Sequence, residues 1–548
     1  MKLSSVDAVV VGAGAGGGIV AYELAKAGFQ VVLLERGRNQ QFSETGHDEL
    51  RSQRTTVLGN AFGPDDTHYR LTRMGDAKDF NKSLASEGDY GNVAACVGGG
   101  TKSYGAMAWR FLPKDFAMRS TYGAPAGSSL EDWPISYEEL EPYYDKAEWT
   151  IGVSGKKGTN TFEGPRKRDY PMPPLPYNKE AGILHAAAKK LGWHPFPIPM
   201  AINSVTYNGR PGCIMCPHCV GFACEVKAKS STADTVIPAA LKTGNCRLET
   251  SAVTTQILTD AKGNATGVLY IQDGNKFEQP ARLVVVSCSA TESPRLLLHS
   301  KSKLHPNGLG NNNDWVGRNL QGHTYAGATG YFEEEVFDGT GPAARIAFCD
   351  FNHGNPGVFG GAMLANEFIR LPYLFARSGH PTGSARWGLE HKQAQRRYFK
   401  RSAGVKGPVQ PMPVFTNRVE LDPQLKDEFG VPILRLSGRN HAEDHKTGRF
   451  IAERAAELLK AAGAVGTNLS LPGQGSSGGQ HQAGTCRMGK DPKISVTNSY
   501  GQIYSVDNVF VVDGSLHVTN GGFNPSPTIQ ALAFRSAEYM VKEFRRRG

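Results

Sequence analysis

Three groups of residues in this chain have types and spacings suited to chemistry. Near the C-terminus stands His481-Gln-Ala-Gly484-Thr485, followed by Val511-Val-Asp513-Gly514-Ser515 and by Asn524-Pro525-Ser-Pro-Thr528. A histidine exchanges a proton near neutrality, because its unperturbed pKa is about 6.5, whereas an asparagine amide orients an oxygen without acting as a base. Near the N-terminus Gly12-x-Gly14-x-x-Gly17 follows an apolar run. In the middle, Cys213-x-x-Cys216-x-x-Cys219-x-x-x-x-Cys224 crowds four thiols into one short segment.

The glycine box reads as phosphate chemistry because of what flanks it. Ala8 to Val11 is an apolar, strand-like run, Ile19 to Ala27 has helical spacing, Gly28 is a stop, and Val31 to Leu34 forms a second strand. Strand, glycine turn and helix in that order bring backbone N–H groups to a pyrophosphate at the helix N-terminus. Glu35 ends the second strand, where an acidic side chain accepts hydrogen bonds from an adenosine ribose. The box by itself does not separate NAD from FAD.

Gly209, Pro211, Gly212, Pro217 and Gly221 surround the cysteine run and let the backbone wrap a metal centre. Zinc favours paired knuckles separated by a longer loop, so one uninterrupted run suits an iron–sulfur cluster better. The chain has an odd total of 9 cysteines with four of them in this run, which argues against a disulfide scaffold. Cys96, Cys246, Cys288, Cys349 and Cys486 lack any such spacing and read as packed thiols.

Taken together, the glycine box, Gly98-Gly99-Gly100-Thr101 to Arg110, Ser289-Ala-Thr-Glu-Ser293-Pro294, Val316-Gly317-Arg318-Asn319-Leu320 and the C-terminal segment resemble the glucose-methanol-choline (GMC) flavoprotein oxidoreductases over nearly the whole chain. The resemblance implies FAD, held non-covalently, since no histidine adjoins the stretch Gly98 to Met107. It also implies that Gly99, Gly100 and Thr101 follow the pyrophosphate toward the flavin. Val253 would hold the adenine through its backbone, and Asp513 with Gly514 would contact the ribityl and pyrophosphate. His481 falls where the family places its catalytic base, and Asn524 where it places a second, substrate-positioning group. One departure is visible: Gly105 stands where many members have asparagine.

The same resemblance extends to sugar dehydrogenase catalytic subunits of the glucoside 3-dehydrogenase and gluconate 2-dehydrogenase type. Some of these hold a [3Fe–4S] cluster on three cysteines at the corresponding point. It implies a secondary hydroxyl of a sugar or glycoside, such as C3 of a glucoside, oxidised to a keto-sugar by hydride transfer to flavin N5. Electrons would leave through a cluster on Cys213, Cys216 and Cys219, with Cys224 a possible fourth ligand, toward a small subunit and a cytochrome or similar carrier. The alternatives are a gluconate or polyol dehydrogenase and an oxygen-using glycoside 3-oxidase without a cluster. A flavin-binding lyase or structural subunit and a cysteine-dependent carrier are disfavoured by intact His481 and Asn524.

These residues need a scaffold that brings distant segments together. The expectation is an α/β chain: a doubly wound, Rossmann-like FAD-binding domain from residues 1–150, 206–325 and 478–548, and a β-sheet-and-helix substrate domain from 151–205 and 326–477. A helix opens at Ser136 with Glu139 in capping-box spacing, another ends at Gly244, and a third spans His445 to Ala462. Two strands joined by Asp260-Ala-Lys-Gly263 and a buried parallel strand from Leu283 to Cys288 complete the first domain. Residues 37–95 read as surface loops and 156–180 as a linker or lid.

At 548 residues, 39% hydrophobic and 20% charged, the composition is that of an ordinary globular protein. No run reaches the ~20 apolar residues of a spanning helix. The first strand begins too early for a secretion signal to precede it, so the expectation is a cytoplasmic chain, or a periplasmic one exported with a signal-bearing partner. A net charge of +10, with basic clusters at Lys392 to Arg401 and at Lys542, Arg545, Arg546 and Arg547, comes without a nucleic-acid signature and reads as solvated surface. An acidic partner or a membrane surface is the other possibility.

Overall fold

The computed structural model describes residues 1–52, 61–366, 369–473, 475 and 479–546. Arg547 and residue 478, where one domain boundary was drawn, lie outside these.

Strand Val6–Val11 is the centre of the first layer, with Val31–Leu34 parallel on one side and the second half of Asn275–Val286 parallel on the other. Cys246–Glu249 extends the sheet beyond Val31–Leu34, and Val509–Val511 extends it beyond Val284 to Val286. The near-continuous Val/Leu/Ala sequences of these strands follow from burial on both faces, which leaves no polar side to alternate with. Helix Gly17–Lys26 covers one face and packs against the C-terminal helix Ser526–Arg546, so both ends of the chain build one layer.

The first half of Asn275–Val286 leaves the parallel sheet and pairs antiparallel with Ala265–Gln272, which pairs with Ala252–Thr259. The expected Asp260 to Gly263 turn joins the last two, with Gly263 N–H donating to the Asp260 carbonyl at 3.1 Å. Val253 is thereby carried to the edge of the nucleotide layer.

A second, antiparallel sheet runs in the order Gly466–Ser470, Tyr325–Tyr331, Ser402–Pro408, Leu364–Asn366, Ile346–Phe348, Phe196–Pro197. Helices Lys179–Lys190 and Ala442–Ala461 cover it and close a separate apolar core that includes Leu184, Ala328, Phe348, Val405, Ile451 and Leu459. The helix expected from His445 begins earlier because His441 acts as its N-cap and Asp444 reaches back to the His441 N–H at 2.8 Å.

Two expectations need correction. Residues 37–95 are not all loop: Tyr69–Met74 and Asn81–Leu84 pair with each other, and Tyr69–Met74 lies parallel to Pro432–Gly438 in a four-stranded sheet. The strands are short and carry Arg70, Arg73 and Lys82, which hides their alternation. Fully buried Arg70 donates to the Tyr90 carbonyl at 3.0 Å and the Glu87 carbonyl at 2.9 Å. This sheet joins 69–84 with 418–438, segments drawn in different domains.

Nor is 156–180 loosely tethered. Buried Arg166 forks onto Glu148 at 2.6 and 3.0 Å, and Arg110 grips the same carboxylate at 2.9 and 2.7 Å and Asp145 at 2.6 Å. Such a dry network is costly to break once formed. Glu148 lies on the helix Tyr137–Ile151, which starts as expected with Ser136 and Glu139 in a capping box.

The basic cluster falls mostly on helix Gly388–Tyr398, none of whose residues is buried, as a solvated face requires. Among the described residues no helix is long and apolar enough to cross a membrane.

Candidate active site

A cavity of about 580 Å³ runs between the nucleotide layer and the second sheet. Gly12, Gly14, Glu35, Gly99, Gly100, Thr101, Val253, Asp513, Gly514, His481 and Asn524 all line it, although they come from widely separated stretches of chain. Of the nucleotide residues expected from sequence only Gly17 does not: it opens the first helix, where a Cβ would lie 1.9 Å from the Gly12 carbonyl oxygen.

At the nucleotide end the backbone turns sharply out of the first strand. Gly12 has φ of +99° and a Cβ there would sit 2.2 Å from the Ser287 carbonyl oxygen, so neither conformation nor space admits a side chain. Buried Glu35 accepts from Ala13 N–H and Gly37 N–H, each at 2.9 Å. Burial pushes its carboxyl above the usual range, and those two donors pull the other way. Asp513 is held by four contacts: Ser289 N–H at 3.1 Å, Ser293 hydroxyl at 2.5 Å, Ser515 N–H at 2.8 Å and Ser515 hydroxyl at 2.5 Å. Its carboxyl too is raised by burial.

This cradle fits FAD. Glu35 and Asp513 line the cavity at separated points, and a Cβ on Gly14 or Gly100 would meet no protein atom within 4 Å, so the space beside these backbones is free for phosphate groups.

At the other end His481 and Asn524 meet. Asn524 Nδ2 is 3.4 Å from His481 Nε2, and Asn524 Oδ1 accepts the indole N–H of Trp109 at 2.7 Å. His481 has φ of +63°, an uncommon conformation for a side-chain-bearing residue. Asn520 braces it by donating to the His481 carbonyl at 2.7 Å. On its far side His481 Nδ1 is 2.8 Å from Nδ1 of His323, which is wholly buried. His517 does not line the cavity. It sits under Phe111 and Trp133, and its Nδ1 is 3.1 Å from Asn520 Oδ1. Burial depresses both His323 and His517 to about 4.

Gly105 also lines the cavity, and the space beside it is narrow. A Cβ there would come within 3.0 Å of Val220 Cγ2 and 2.9 Å of Met107 Cε. Val220 belongs to the cysteine segment, which is bound to the flavin-side stretch: Gly221 N–H donates to the Ser103 carbonyl at 2.6 Å. Lys229 donates to the carbonyls of Tyr104, Cys219 and Phe222 at 3.0, 2.7 and 2.6 Å.

The cysteine segment itself does not meet the expectation of a metal centre. Cys213, Cys216, Cys219 and Cys224 surround a space of only about 10 Å³, and among the described residues no three His, Cys, Asp or Glu side chains are arranged to hold a metal ion. Backbone N–H groups reach two of the sulfurs. Met215 N–H donates to Cys213 Sγ at 3.4 Å and Lys229 N–H to Cys224 Sγ at 3.5 Å. Burial pushes the Cys219 thiol up to about 12. The arrangement therefore gives an iron–sulfur cluster no support among the described residues. The other five thiols are packed as expected, four buried and Cys288 half-buried.

Residues 95–325 match the N-terminal family model of GMC oxidoreductase, residues 413–533 match its C-terminal model, and residues 10–40 match an NAD(P)-binding Rossmann-like domain. A 2-methyl-1,2-propanediol dehydrogenase of Mycolicibacterium austroafricanum is 33% identical over 98% of this chain and 95% of its own. This chain belongs to the GMC oxidoreductase family.

It is therefore an FAD-dependent oxidoreductase acting on CH–OH groups. Other GMC relatives are a 6'''-hydroxyparomomycin C oxidase of Streptomyces lividus, 31% identical over 97% of this chain and 90% of that one, and a fructose dehydrogenase large subunit of Gluconobacter japonicus, 27% identical over 99% and 98%. Sequence reasoning missed Trp109, Asn520 and Val220, and it could give His323 no partner. Each acts through a partner far away in the chain, so no local spacing marks it.

Proposed function

We propose that this GMC oxidoreductase oxidises a secondary hydroxyl of a sugar or glycoside, C3 of a glucoside, to the keto-sugar, with His481 as the base. The observation that carries the reading is the meeting of His481 Nε2 and Asn524 Nδ2 at 3.4 Å on the wall of the same cavity as the Gly99 to Thr101 stretch. When bound, FAD supplies the acceptor for the hydride leaving the carbinol carbon. His481 takes the hydroxyl proton, and the Asn524 amide N–H donates to the same oxygen and holds it as it becomes a carbonyl. Glu35 would hold the adenosine ribose, Val253 the adenine, and Gly12, Gly14, Gly99, Gly100, Thr101, Asp513 and Gly514 the pyrophosphate and ribityl chain, without a covalent link.

A sugar substrate and a small companion subunit are supported by the likeness to a fructose dehydrogenase large subunit, whose name implies a smaller companion. The reading includes a small subunit and an electron carrier, with no electron path through the cysteines. An oxygen-using oxidase is the second reading, favoured by the oxidase among the relatives.

The test is anaerobic addition of glucose, gluconate and simple glucosides to the purified holoenzyme, with the flavin spectrum, product and iron content measured. Bleaching by a glucoside with formation of a keto-glucoside supports the reading. Bleaching only by gluconate or a simple polyol replaces the substrate. Stoichiometric oxygen uptake in air favours the oxidase, and about three irons per chain would reinstate the cluster.

A further inference from the structure

We propose that His323 is a positioning residue that fixes the tautomer of His481, so that the His481 nitrogen beside Asn524 carries a lone pair rather than a proton. This rests on the reading of His481 as the base and adds how a neutral histidine is held in the form able to act as one.

The assignment follows from hydrogen-bond polarity. His323 is wholly buried on the strand Gln321–His323, and at neutral pH it carries a single ring proton. Its Nε2 lies 2.8 Å from the carbonyl oxygen of Gly521, which only accepts, so the proton is on Nε2. Nδ1 of His323 is then an acceptor. Its partner at 2.8 Å is Nδ1 of His481, which must supply the hydrogen. A neutral His481 protonated at Nδ1 is unprotonated at Nε2.

A second chain of contacts reaches the same nitrogen from the opposite side. The Trp109 indole N–H only donates, so the atom of Asn524 that meets it at 2.7 Å is the amide oxygen. That leaves the Asn524 NH₂ facing His481 Nε2 at 3.4 Å, a donor directed at a lone pair. One chain begins at a carbonyl and the other at an indole N–H, groups with one polarity each, and both assign a lone pair to Nε2. After Nε2 has taken a proton, Nδ1–H still donates to the neutral His323, so the imidazolium keeps a partner with no second proton transfer.

Neutron diffraction from a deuterium-exchanged crystal of the holoenzyme at neutral pH tests this without reference to turnover. Deuterons on His323 Nε2 and His481 Nδ1 are expected. A deuteron on His481 Nε2 of the substrate-free enzyme overturns the proposal. Kinetics give the companion test. His323→Leu, which has no acceptor, should lower the rate of substrate-driven flavin reduction by on the order of 10²-fold or more with little change in KM. His323→Asn, which can place an oxygen near the lost Nδ1, should recover most of that rate. Equal rates for wild type and His323→Leu, both with FAD bound, would also overturn it. If the Leu variant loses FAD, the neutron result still decides. If no sugar reduces the flavin, the functional reading fails and the tautomer is judged separately.

Discussion

Trp109 and Asn524 are 415 residues apart in sequence and meet through a 2.7 Å hydrogen bond in which the indole N–H donates to the amide oxygen. The bond is buried, and it decides which end of the Asn524 amide faces His481. Trp109→Phe keeps an aromatic ring against Phe196 and Phe523 but removes the donor. The rate of flavin reduction by substrate should fall about 10-fold, the cost of one net hydrogen bond. An unchanged rate would mean that Asn524 is oriented by something else.

Glu35→Ala should release FAD more readily. The substitution deletes a carboxylate that accepts two backbone N–H groups and faces the nucleotide end of the cavity. Charge-assisted bonds of this kind contribute about 1.5–3 kcal/mol each, so titration of the apoprotein should show FAD affinity weakened by roughly 10- to 100-fold. Affinity within twofold of wild type would remove Glu35 from the ribose site.

Gly105 and Val220 should behave as a coupled pair. Gly105→Asn alone should lower thermal stability or FAD retention by about 1–3 kcal/mol, because the new side chain meets Val220. Val220→Ala opens that space, so the double variant should regain part of the loss. Strict additivity in a double-mutant cycle would refute this coupling.

Stability should fall as acid is added across the range set by His323 and His517. Both are buried and held near 4, below the ordinary value of about 6.5, so the unfolded chain binds protons that the folded chain refuses. Each group's contribution is intact above about 6.5 and is lost as pH drops toward 4, at about 1.4 kcal/mol per pH unit. In thermal melts between pH 7 and pH 4, His517→Gln should show a shallower decline than wild type. A parallel decline would place the acid sensitivity elsewhere.

The sequence carried the nucleotide layer well. Ala8 to Val11, the glycine turn and Val31 to Leu34 are local, apolar and buried on both faces, and local patterns report such elements. His481, Asn524 and the glycine stretches were also legible, because each belongs to a motif with fixed neighbours. The pairing of His323 was not: its partner lies 158 positions away. Tyr69–Met74 escaped notice because its arginine, Arg70, is buried by backbone carbonyls rather than by alternation. The cysteine spacing suggested a cluster, but among the described residues no three metal-ligating side chains are arranged to hold an ion, and Lys229 shares the small space that the sulfurs line.

The most direct measurement is anaerobic stopped-flow of the FAD-loaded wild type and His481→Ala with a methyl glucoside, following flavin absorbance and identifying the product. The account predicts rapid bleaching and a keto-glucoside with wild type. It predicts a rate at least about 10²-fold lower for His481→Ala, with FAD still bound. Equal bleaching by both proteins would contradict the assignment of His481 as the base.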